Sequence, residues 1–427
     1  MTKLAAVDEA WQAGIDVSIV MPCLNEALSL PHCIANAREA LARMRDRFGL
    51  SGEIVISDNG SDDGSQMMAR ALGATVVHCP ARGYGAAVAH GMRSANGRFL
   101  VMGDADGSYD FRDAVAMVEQ LAQGADLCMG SRFKAGIAPG AMPWKNRYIG
   151  NPVLTGMLNL FFRAGVSDAH CGLRALTKEC FERLNLASSG MEFASEMVIK
   201  AALRGEKIAE TPARLLPDLR DRPPHLRPWR DGWRHLRYLF MLSPVWAFAV
   251  PALLAAAVSL TIWGAAGLAF VEGRWRDSIF GNYWVVLAGS LLGLSHVAVL
   301  LAASAHVYGR RAGFRRATGR ADRVAKWINL ETMLISGGVI GIAGFVTLLA
   351  VFGYWSQHHF EAIGSVLPAV VGTTLIVIGA QNALGGFLLA IVNGHETEFV
   401  QPVREKEHSS ALRPARAEPF ECPTRVA

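Results

Sequence analysis

The sequence lacks the cysteine and nucleophile patterns that assign many proteins to a class at first reading. Its seven cysteines are scattered along 427 residues, and no two of them form a Cys-x-x-Cys pair. This scatter favours reduced cytosolic thiols over a zinc site or a disulfide framework. A Ser–His–Asp-type motif is also absent, so the chemistry has to be sought in other residue types.

A secretion signal and a strongly charged composition are missing as well. The N-terminal stretch MTKLAAVDEAWQAGID contains no apolar run of the kind found in signal peptides, so we expect residues 1–215 to stay in the cytosol. Charged residues make up 19% of the chain, and the formal net charge is +5. Much of the basic excess lies beside long apolar runs, where anionic headgroups would attract it, and no nucleic-acid partner is required.

Long apolar runs are abundant in the second half of the chain. The hydrophobic fraction is 51% and the mean hydropathy is +0.24, which is high for a wholly soluble protein. Runs without a formally charged side chain, each long enough to cross a hydrocarbon core of about 30 Å, predict four membrane spans. These spans are 245–271, 283–303, 333–355 and 364–392.

The loops between these runs predict the orientation of the chain. GRRAGFRRATGRADRVAKW, between the second and third spans, has seven Lys or Arg residues against one Asp, whereas SQHHFEAI, between the third and fourth, has no Lys or Arg. Basic loops face the cytoplasm, so both termini should do so too. We therefore expect a multi-pass protein of the inner cell membrane whose soluble part lies on the cytoplasmic face.

The composition divides the chain into four predicted regions. Residues 1–218 form a cytosolic α/β domain, 219–243 an amphipathic interfacial helix region, and 244–393 a domain of four transmembrane helices. Residues 394–427 mix charges with prolines and form a tail that we expect to be disordered.

Short runs rich in Val and Ile alternate with helical patterns in the soluble half. Such apolar runs are typical of strands that are buried on both faces, as in a parallel sheet whose two faces are covered by crossover helices. The pattern predicts a doubly wound α/β layer. The predicted strands are 17–22, 53–58, 75–79, 98–103 and 126–131.

Three of these strands end in polar clusters: PCLNE, SDNGSDDGS and GDADGSYD. Carboxyl ends of parallel strands meet at one edge of the sheet, where ligands bind. Turn chemistry explains one such cluster more easily than three. Asp104 and Asp106 would repel each other unless a cation lay between them, and Mg²⁺ or Mn²⁺ commonly bridges carboxylates to substrate phosphates. We therefore predict a metal and diphosphate site at this edge.

The order of these motifs resembles that of family-2 glycosyltransferases with the GT-A nucleotide-sugar fold, over about residues 15–240. VSIVMPCLNE resembles the opening strand and donor-binding turn, IVISDNGSDDGS the nucleobase-binding segment, and ARGYGAAVAHGM the glycine-rich helix start, with Tyr84 in place of the usual lysine. GDADGSYD takes the place of the metal motif. The resemblance implies donor-binding roles for Pro22, Asn25, Glu26, Asp58, Gly83, Gly85 and Asp104.

Further along the chain, the resemblance narrows to polyprenyl-phosphate glycosyltransferases such as dolichyl-phosphate mannose synthase. The motifs are MGSRFKAG, PWKNRYIGNPV and DAHCGLRAL. They imply that Arg132 and Arg147, together with Asn151 in place of a common serine, contact the acceptor phosphate. Ser108 stands where some members have a metal-linked glutamine. The implied catalytic set is Asp104, Asp106, Arg132 and Arg147, with Mg²⁺ or Mn²⁺ held by Asp104 and Asp106.

Each of these residues also has a structural interpretation. Arg132 could cap a helix or pair with an acid, Arg147 could lie on a solvated face, and Glu26 and Asp58 could be turn formers. Glu192 and Glu196, one helical turn apart, are more readily explained as structural than as catalytic. The roles of Asp168 and Arg174 are left open.

The stretch RPPHLRPWRDGWRHLRYLFMLSP leads into the membrane. Trp229, Trp233, Leu236 and Phe240 share one helical face, which suits a helix in the headgroup layer, although an ordinary packing helix fits too. In the spans, small residues and amides favour helix packing over transport. These are Gly337-Gly338, Gly385-Gly386, Gln381 and Asn382.

The leading hypothesis is transfer of one sugar from a UDP- or GDP-sugar to a polyprenyl phosphate, with inversion implied by the resemblance. A processive polysaccharide synthase is an alternative, but LRPWRDGWRH lacks the glutamine of the QxxRW motif of those enzymes. A non-enzymatic membrane scaffold or nucleotide-binding regulator is another. The chain is compatible with a homo-oligomer, and the sequence fixes neither the sugar, the base nor the lipid length.

Overall fold

The computed structural model describes residues 14–220, 228–275, 279–315, 329–361 and 363–394. The predicted tail, most of the basic loop between the second and third spans, and most of the N-terminal stretch lie outside these residues. The described part consists of an α/β domain, an amphipathic helix and four long apolar helices.

A seven-stranded sheet forms the centre of the α/β domain, in the order β3-β2-β1-β4-β6-β5-β7. All five predicted strands are present, within two residues of their predicted bounds. The strands are β1 Val17–Cys23, β2 Gly52–Asp58, β3 Thr75–His78, β4 Phe99–Met102, β5 Leu127–Ser131, β6 Arg174–Thr177 and β7 Ile208–Pro212.

The doubly wound layer is confirmed, and one strand that was not predicted makes its sheet mixed rather than wholly parallel. Strand β6 lies between β4 and β5 and pairs antiparallel with both. Strands β6 and β7 were not predicted, because neither carries an apolar run: β6 has the sequence RALT and β7 has the sequence IAETP. Such short segments gain their strand geometry from neighbours rather than from their own composition.

Helices cover both faces of the sheet and bury two apolar cores. One core lies beneath α1 and α4, and the other lies between the sheet and α3, α6, α7 and α8. Pro31 stands in the first turn of α1, where its missing N–H costs nothing. The helices are α1 Leu30–Phe48, α2 Ser65–Ala71, α3 Tyr84–Ser94, α4 Ala114–Ala122, α5 Arg132–Ala135, α6 Asn151–Phe162, α7 Lys178–Leu184 and α8 Phe193–Arg204.

Helix α9, Pro228–Leu242, packs on α6 and α8, and its buried residues lie outside the predicted apolar face. His235 and Leu239 are buried, and His235 Nδ1 lies 2.7 Å from Ser195 Oγ of α8. Of the predicted apolar face, Trp233 is 62% exposed, whereas Phe240 keeps an edge-on contact with the ring of Phe161 in α6, at 5.3 Å between ring centres. The predicted apolar face is therefore partly exposed and partly packed on the α/β domain. The side chain of Trp229 lies outside the described residues.

Within the described part of the chain, four helices, all beginning after residue 244, are long and apolar enough to cross a membrane. The protein is therefore a membrane protein. A π-helical turn, Val245–Ala249, leads into the first of these helices. These helices agree with the four predicted spans. They are α10 Val250–Val271, α11 Asn282–Arg311, α12 Leu330–Gln357 and α13 Leu367–Asn393.

The end of α11 lies against the α/β domain. Arg204 of α8 donates a hydrogen bond to the carbonyl of Gly313, and Arg315 Nη2 donates to the carbonyl of Leu242 at 2.9 Å. Helix α10 therefore leaves the domain and α11 returns to it. The first residues of the basic loop thus lie on the same side of the spans as the α/β domain.

Small residues bring α12 and α13 together, as the sequence predicts. A Cβ added at Gly337 would lie 2.6 Å from the carbonyl oxygen of Gly379, whereas one added at Gly338 would meet no described atom within 4 Å. Only the first glycine of the predicted pair therefore serves close packing. Asn382 Nδ2 donates to the Met333 carbonyl at 3.1 Å, which ties the two helices further.

The second predicted amide pairs with a residue that the sequence analysis overlooked. Gln381 Oε1 of α13 lies 3.1 Å from Nδ1 of His296 of α11. Polar pairs between helices help to hold membrane helices together. The contact supports the packing interpretation for Gln381.

We expect Gly337→Ala to destabilise the membrane domain, by roughly 1–3 kcal/mol, because the new methyl group overpacks the contact with α13. Thermal unfolding of the detergent-solubilised protein measures the effect. Gly338→Ala is the matched control: it adds the same group one residue along, in open space, and should leave the unfolding temperature unchanged or slightly higher. Equal losses in both variants would contradict the packing interpretation.

Candidate functional site

Hydrogen bonds join the loops that follow β1, β2 and β4 into one edge of the sheet. Asn25, in the left-handed region at φ 58°, accepts a bond from the Asp62 backbone N–H at 2.9 Å. Ser29 Oγ donates to the carbonyl of Ala105 at 2.6 Å. The polar clusters that the sequence places at three strand ends therefore lie at one edge, as predicted.

Acidic side chains are concentrated at the β4 end of this edge. Burial, together with the negative charge of Asp106, raises the pKa of Asp104 to about 6, although a hydrogen bond from Tyr84 and the charge of Arg220 act to lower it. Asp106 Oδ1 accepts the Ser108 backbone N–H at 2.9 Å. The two carboxylates thus stand close enough to repel each other in a poorly solvated place.

Arg220, which was not predicted as a site residue, lies among these carboxylates. Its Nη2 contacts Asp106 Oδ2, and its Nε lies 3.3 Å from Oε1 of Glu26. Backbone bonds position the segment before it: the N–H of Leu219 donates to the Asp106 carbonyl at 2.9 Å. Arg220 stands 114 positions from Asp106 and belongs to no motif, so only the fold reveals the contact.

The donor set fits a divalent cation that takes part of its coordination from a substrate. Among the residues that the structure describes, no three His, Cys, Asp or Glu side chains are arranged as a preformed metal site. Asp104 and Asp106 offer hard oxygen ligands whose mutual repulsion a cation would relieve. Mg²⁺ is commonly held by one or two carboxylates together with phosphate oxygens, and this pair suits that arrangement.

Asp58 and Asn59, at the end of β2, hold their own loops. Asp58 is buried and accepts bonds from Gln66 Nε2 at 2.7 Å and from the Gly60 backbone N–H at 3.1 Å. Asn59 Oδ1 accepts the Gly83 backbone N–H at 2.8 Å. These contacts support the turn-forming interpretation of Asp58, whereas its predicted contact with a nucleobase stays a prediction.

Pro22, Gly83 and Gly85 shape the backbone around the predicted donor site. Pro22 lies within β1 opposite Ser57 of β2. Gly83 has φ 133°, and a Cβ there would collide with the Ser189 carbonyl; a Cβ at Gly85 would come within 2.8 Å of the Gly190 carbonyl. The glycines are therefore required where α3 begins against the loop before α8.

Arg132 and Asp168 form a buried, two-pronged ion pair. Arg132 donates from Nε to Asp168 Oδ2 at 2.6 Å and from Nη2 to Oδ1 at 2.7 Å, and its backbone N–H donates to Oδ2 at 3.1 Å. Burial works to raise the pKa of Asp168, but the bonds from Arg132 outweigh it, and that pKa is lowered. The structure thus assigns to Asp168 the orientation of Arg132, a role that the sequence left open.

Arg147 and Asn151 lie on a different element from Arg132. Arg147 stands half-buried in a π-helical turn, Asn146–Gly150, with its guanidinium carbon 5.4 Å from the ring centre of Tyr148. Asn151 begins α6, and its Nδ2 lies 3.4 Å from the sulfur of Met142. Their predicted contact with an acceptor phosphate stays a prediction.

Two further residues, Arg174 and Glu196, make contacts of a structural kind. Arg174 is fully buried and donates to the backbone carbonyls of Cys171, Ala169 and Ala194. Glu196 pairs with Lys200 at 2.7 Å and accepts bonds from the backbone of the loop before α8. The structural interpretation of Glu196 is therefore supported.

An apolar surface borders the π-helical turn. The ring of Phe161, at the end of α6, stacks at 5.2 Å on Trp246, which leads into the first membrane span. An exposed apolar strip beside the start of a span suits contact with lipid. Its exposed side chains are Trp144, Tyr148, Ile149, Val153 and Leu160.

Two family profiles match the chain. The profile described as glycosyl transferase family 2 matches residues 18–184, and that described as the glycosyltransferase family 2 C-terminal transmembrane region matches residues 303–393. The first match covers the sheet edge described above, and the second covers the end of α11 with α12 and α13.

Named relatives include two from Haloferax volcanii. The low-salt glycan biosynthesis hexosyltransferase Agl6 is 33% identical over 380 residues, which cover 87% of this chain and 88% of that protein. A dolichyl-phosphate hexose transferase is 27% identical over 197 residues, 46% of this chain and 81% of that protein. A crystal structure of glucosyl-3-phosphoglycerate synthase from Mycobacterium tuberculosis with Mg²⁺ and UDP matches with a TM-score of 0.40 and 20% identity, covering 54% of this chain and 78% of that one.

We expect Asp168→Asn to lower the free energy of unfolding by about 3–5 kcal/mol, because it leaves the Arg132 charge buried without its carboxylate. Since the folded pKa of Asp168 lies below its unfolded value of about 3.9, the contribution is complete above that pH and is lost as the pH falls through the folded pKa. Thermal unfolding in detergent across a pH series measures both effects.

Glu39→Gln serves as the control for this variant, since Glu39 pairs with Arg43 on an exposed helix face and should contribute less than about 1 kcal/mol. An unfolding temperature for Asp168→Asn that equals that of the control would contradict the buried-pair assignment.

Proposed function

The chain belongs to glycosyltransferase family 2, and on this basis we propose that it transfers one sugar from a nucleoside diphosphate sugar to the phosphate of a polyprenyl lipid. The observation that carries the proposal is the position of the acidic sheet edge on a domain that also presents an apolar strip beside the first span. Relatives named for dolichyl phosphate support the acceptor class. We place the reaction on the cytoplasmic face of the inner membrane.

The donor side depends on charge compensation. Asp104 and Asp106 would hold Mg²⁺ or Mn²⁺ together with the donor diphosphate, and the ion would supply Lewis-acid stabilisation of the leaving group. Asn25, Glu26 and Asp58 belong to loops that the network of hydrogen bonds keeps in fixed positions. A fixed edge orients the donor without reorganisation when the bond breaks.

The acceptor side requires little proton chemistry. A phosphate monoester has a second pKa of about 6, so the polyprenyl phosphate is mostly a dianion at neutral pH and is already a nucleophile. The absence of a strong general base in the sequence motifs agrees with this. Arg132, held in orientation by Asp168, and Arg147 would position the phosphate against the anomeric carbon. Attack from the face opposite the leaving group inverts that carbon.

Asp106→Asn tests the donor side. We expect it to reduce glycolipid formation by about 10²–10³-fold or more, because the ligand charge that compensates the leaving diphosphate is lost. The assay uses purified full-length protein, a panel of labelled UDP- and GDP-sugars, and undecaprenyl or dolichyl phosphate. Asp62→Asn, which alters an exposed aspartate of the neighbouring loop, should retain activity.

The length of the product tests whether one sugar is transferred, and removal of metal tests whether the transfer needs a cation. A lipid carrying one sugar supports it, whereas a polymer would identify a processive synthase instead. Glycolipid formation that is unchanged in the presence of EDTA, or in the Asp106→Asn variant, would refute the metal part. Nucleotide-sugar binding without release of nucleotide under any condition would refute transferase activity altogether.

A further inference from the structure

The acidic edge of the sheet already contains a cation that belongs to the chain. Arg220 forms ion pairs with Asp106 and with Glu26, and it also lies near enough to Asp104 to lower the pKa of that carboxyl. Its guanidinium therefore occupies the electrostatic position that a divalent cation would take between these acids.

The surroundings make these ion pairs strong. The side chain of Arg220 is 14% exposed, and those of Glu26 and Asp106 are 8% exposed, so water screens the charges little. One guanidinium serves two carboxylates that lie on different loops, after β1 and after β4. Removing Arg220 alone would leave buried negative charges uncompensated, which is costly.

The position of Arg220 is fixed by the backbone. The segment before it runs along the loop after β4, where the N–H of Leu216 donates to the Ser108 carbonyl and the N–H of Leu219 donates to the Asp106 carbonyl, both at 2.9 Å. A Cβ at Gly107, which has φ 82°, would press into Leu219 within 2.8 Å, so the close approach requires glycine. These backbone contacts therefore hold Arg220 beside Asp106 and Glu26.

We propose that Arg220 is an internal counter-cation that competes with the divalent cation for Asp106, so that the metal binds well only together with the donor diphosphate. This inference rests on the metal site of the proposed function. A divalent cation and a guanidinium cannot share one carboxylate group at close range without repelling each other. The diphosphate relieves the competition because its oxygens give the guanidinium other anionic groups to bind.

Two consequences follow for the binding equilibria. In the absence of nucleotide, the protein's affinity for the metal is lowered, because the metal has to displace Arg220 from Asp106. When nucleotide is bound, the affinity for the metal is lowered less. Metal and nucleotide therefore bind with positive coupling, and by linkage each raises the affinity of the other by the same factor. Arg220 is a positioning residue in this account, since it acts on the carboxylates that hold the ion.

The test measures Mn²⁺ binding to the full-length protein in detergent, from the electron paramagnetic resonance signal of free Mn²⁺, with and without UDP or GDP. In the wild-type protein, we expect either nucleotide that binds to raise Mn²⁺ affinity. Arg220→Gln should bind Mn²⁺ alone about tenfold more tightly or better, because the competing positive charge is gone. The increase in affinity caused by nucleotide should shrink in this variant.

Two further variants guard against nonspecific effects. Arg214→Gln removes an exposed arginine from the same segment and should bind Mn²⁺ as the wild type does. Arg220→Lys keeps the charge but replaces the planar fork by a single ammonium, which cannot serve Glu26 and Asp106 equally, so its Mn²⁺ affinity should be intermediate. If Arg220→Gln fails to fold, Arg220→Lys still allows the inference to be tested.

The outcomes separate this inference from the proposed function. If the metal is required for glycolipid formation but Arg220→Gln and Arg220→Lys bind Mn²⁺ no more tightly than the wild type, Arg220 is only a structural link and the inference is wrong. If no variant binds Mn²⁺ even with nucleotide, and transfer continues in EDTA, the metal site itself is wrong. Tighter Mn²⁺ binding in Arg220→Gln with reduced coupling to nucleotide supports the inference.

Discussion

The repulsion between carboxylates at one edge of the sheet is the constraint on which the rest of the site depends. Burial and the charge of Asp106 together raise the pKa of Asp104, so the free protein has to supply positive charge of its own. Arg220 supplies it by bridging Asp106 and Glu26. Electrostatic compensation at this edge therefore connects the loops after β1 and β4 with the segment that leads from β7 toward the membrane.

A second buried charge, that of Arg132 at the end of β5, is compensated in a different way. Arg132 has a single dedicated carboxylate, Asp168, which binds it through both prongs of the guanidinium. Such a pair fixes the orientation of one guanidinium, whereas Arg220 divides its guanidinium between two carboxylates on different loops. The contrast agrees with the proposal that the acids around Arg220, unlike Asp168, also bind a divalent cation.

Much of the fold could be predicted from the sequence, because the patterns that indicate it lie within short segments of the chain. Apolar runs between polar turns predicted β1 to β5, and charge-free runs predicted the four spans. The antiparallel β6 and the edge strand β7 were not predicted, since their geometry comes from neighbouring strands. Motifs located the acids of the site, but Arg220, Asp168 and His296 acquire their contacts only through folding.

The contact between Arg204 and the end of α11 couples the height of the α/β domain to the depth of the spans. Helix α11 has 30 residues and is ~45 Å long, against a hydrocarbon core of about 30 Å. A thicker or thinner bilayer changes how far such a helix tilts or protrudes. Because the α/β domain is tied to the end of this helix, a change in its tilt would move the acidic sheet edge relative to the headgroup plane.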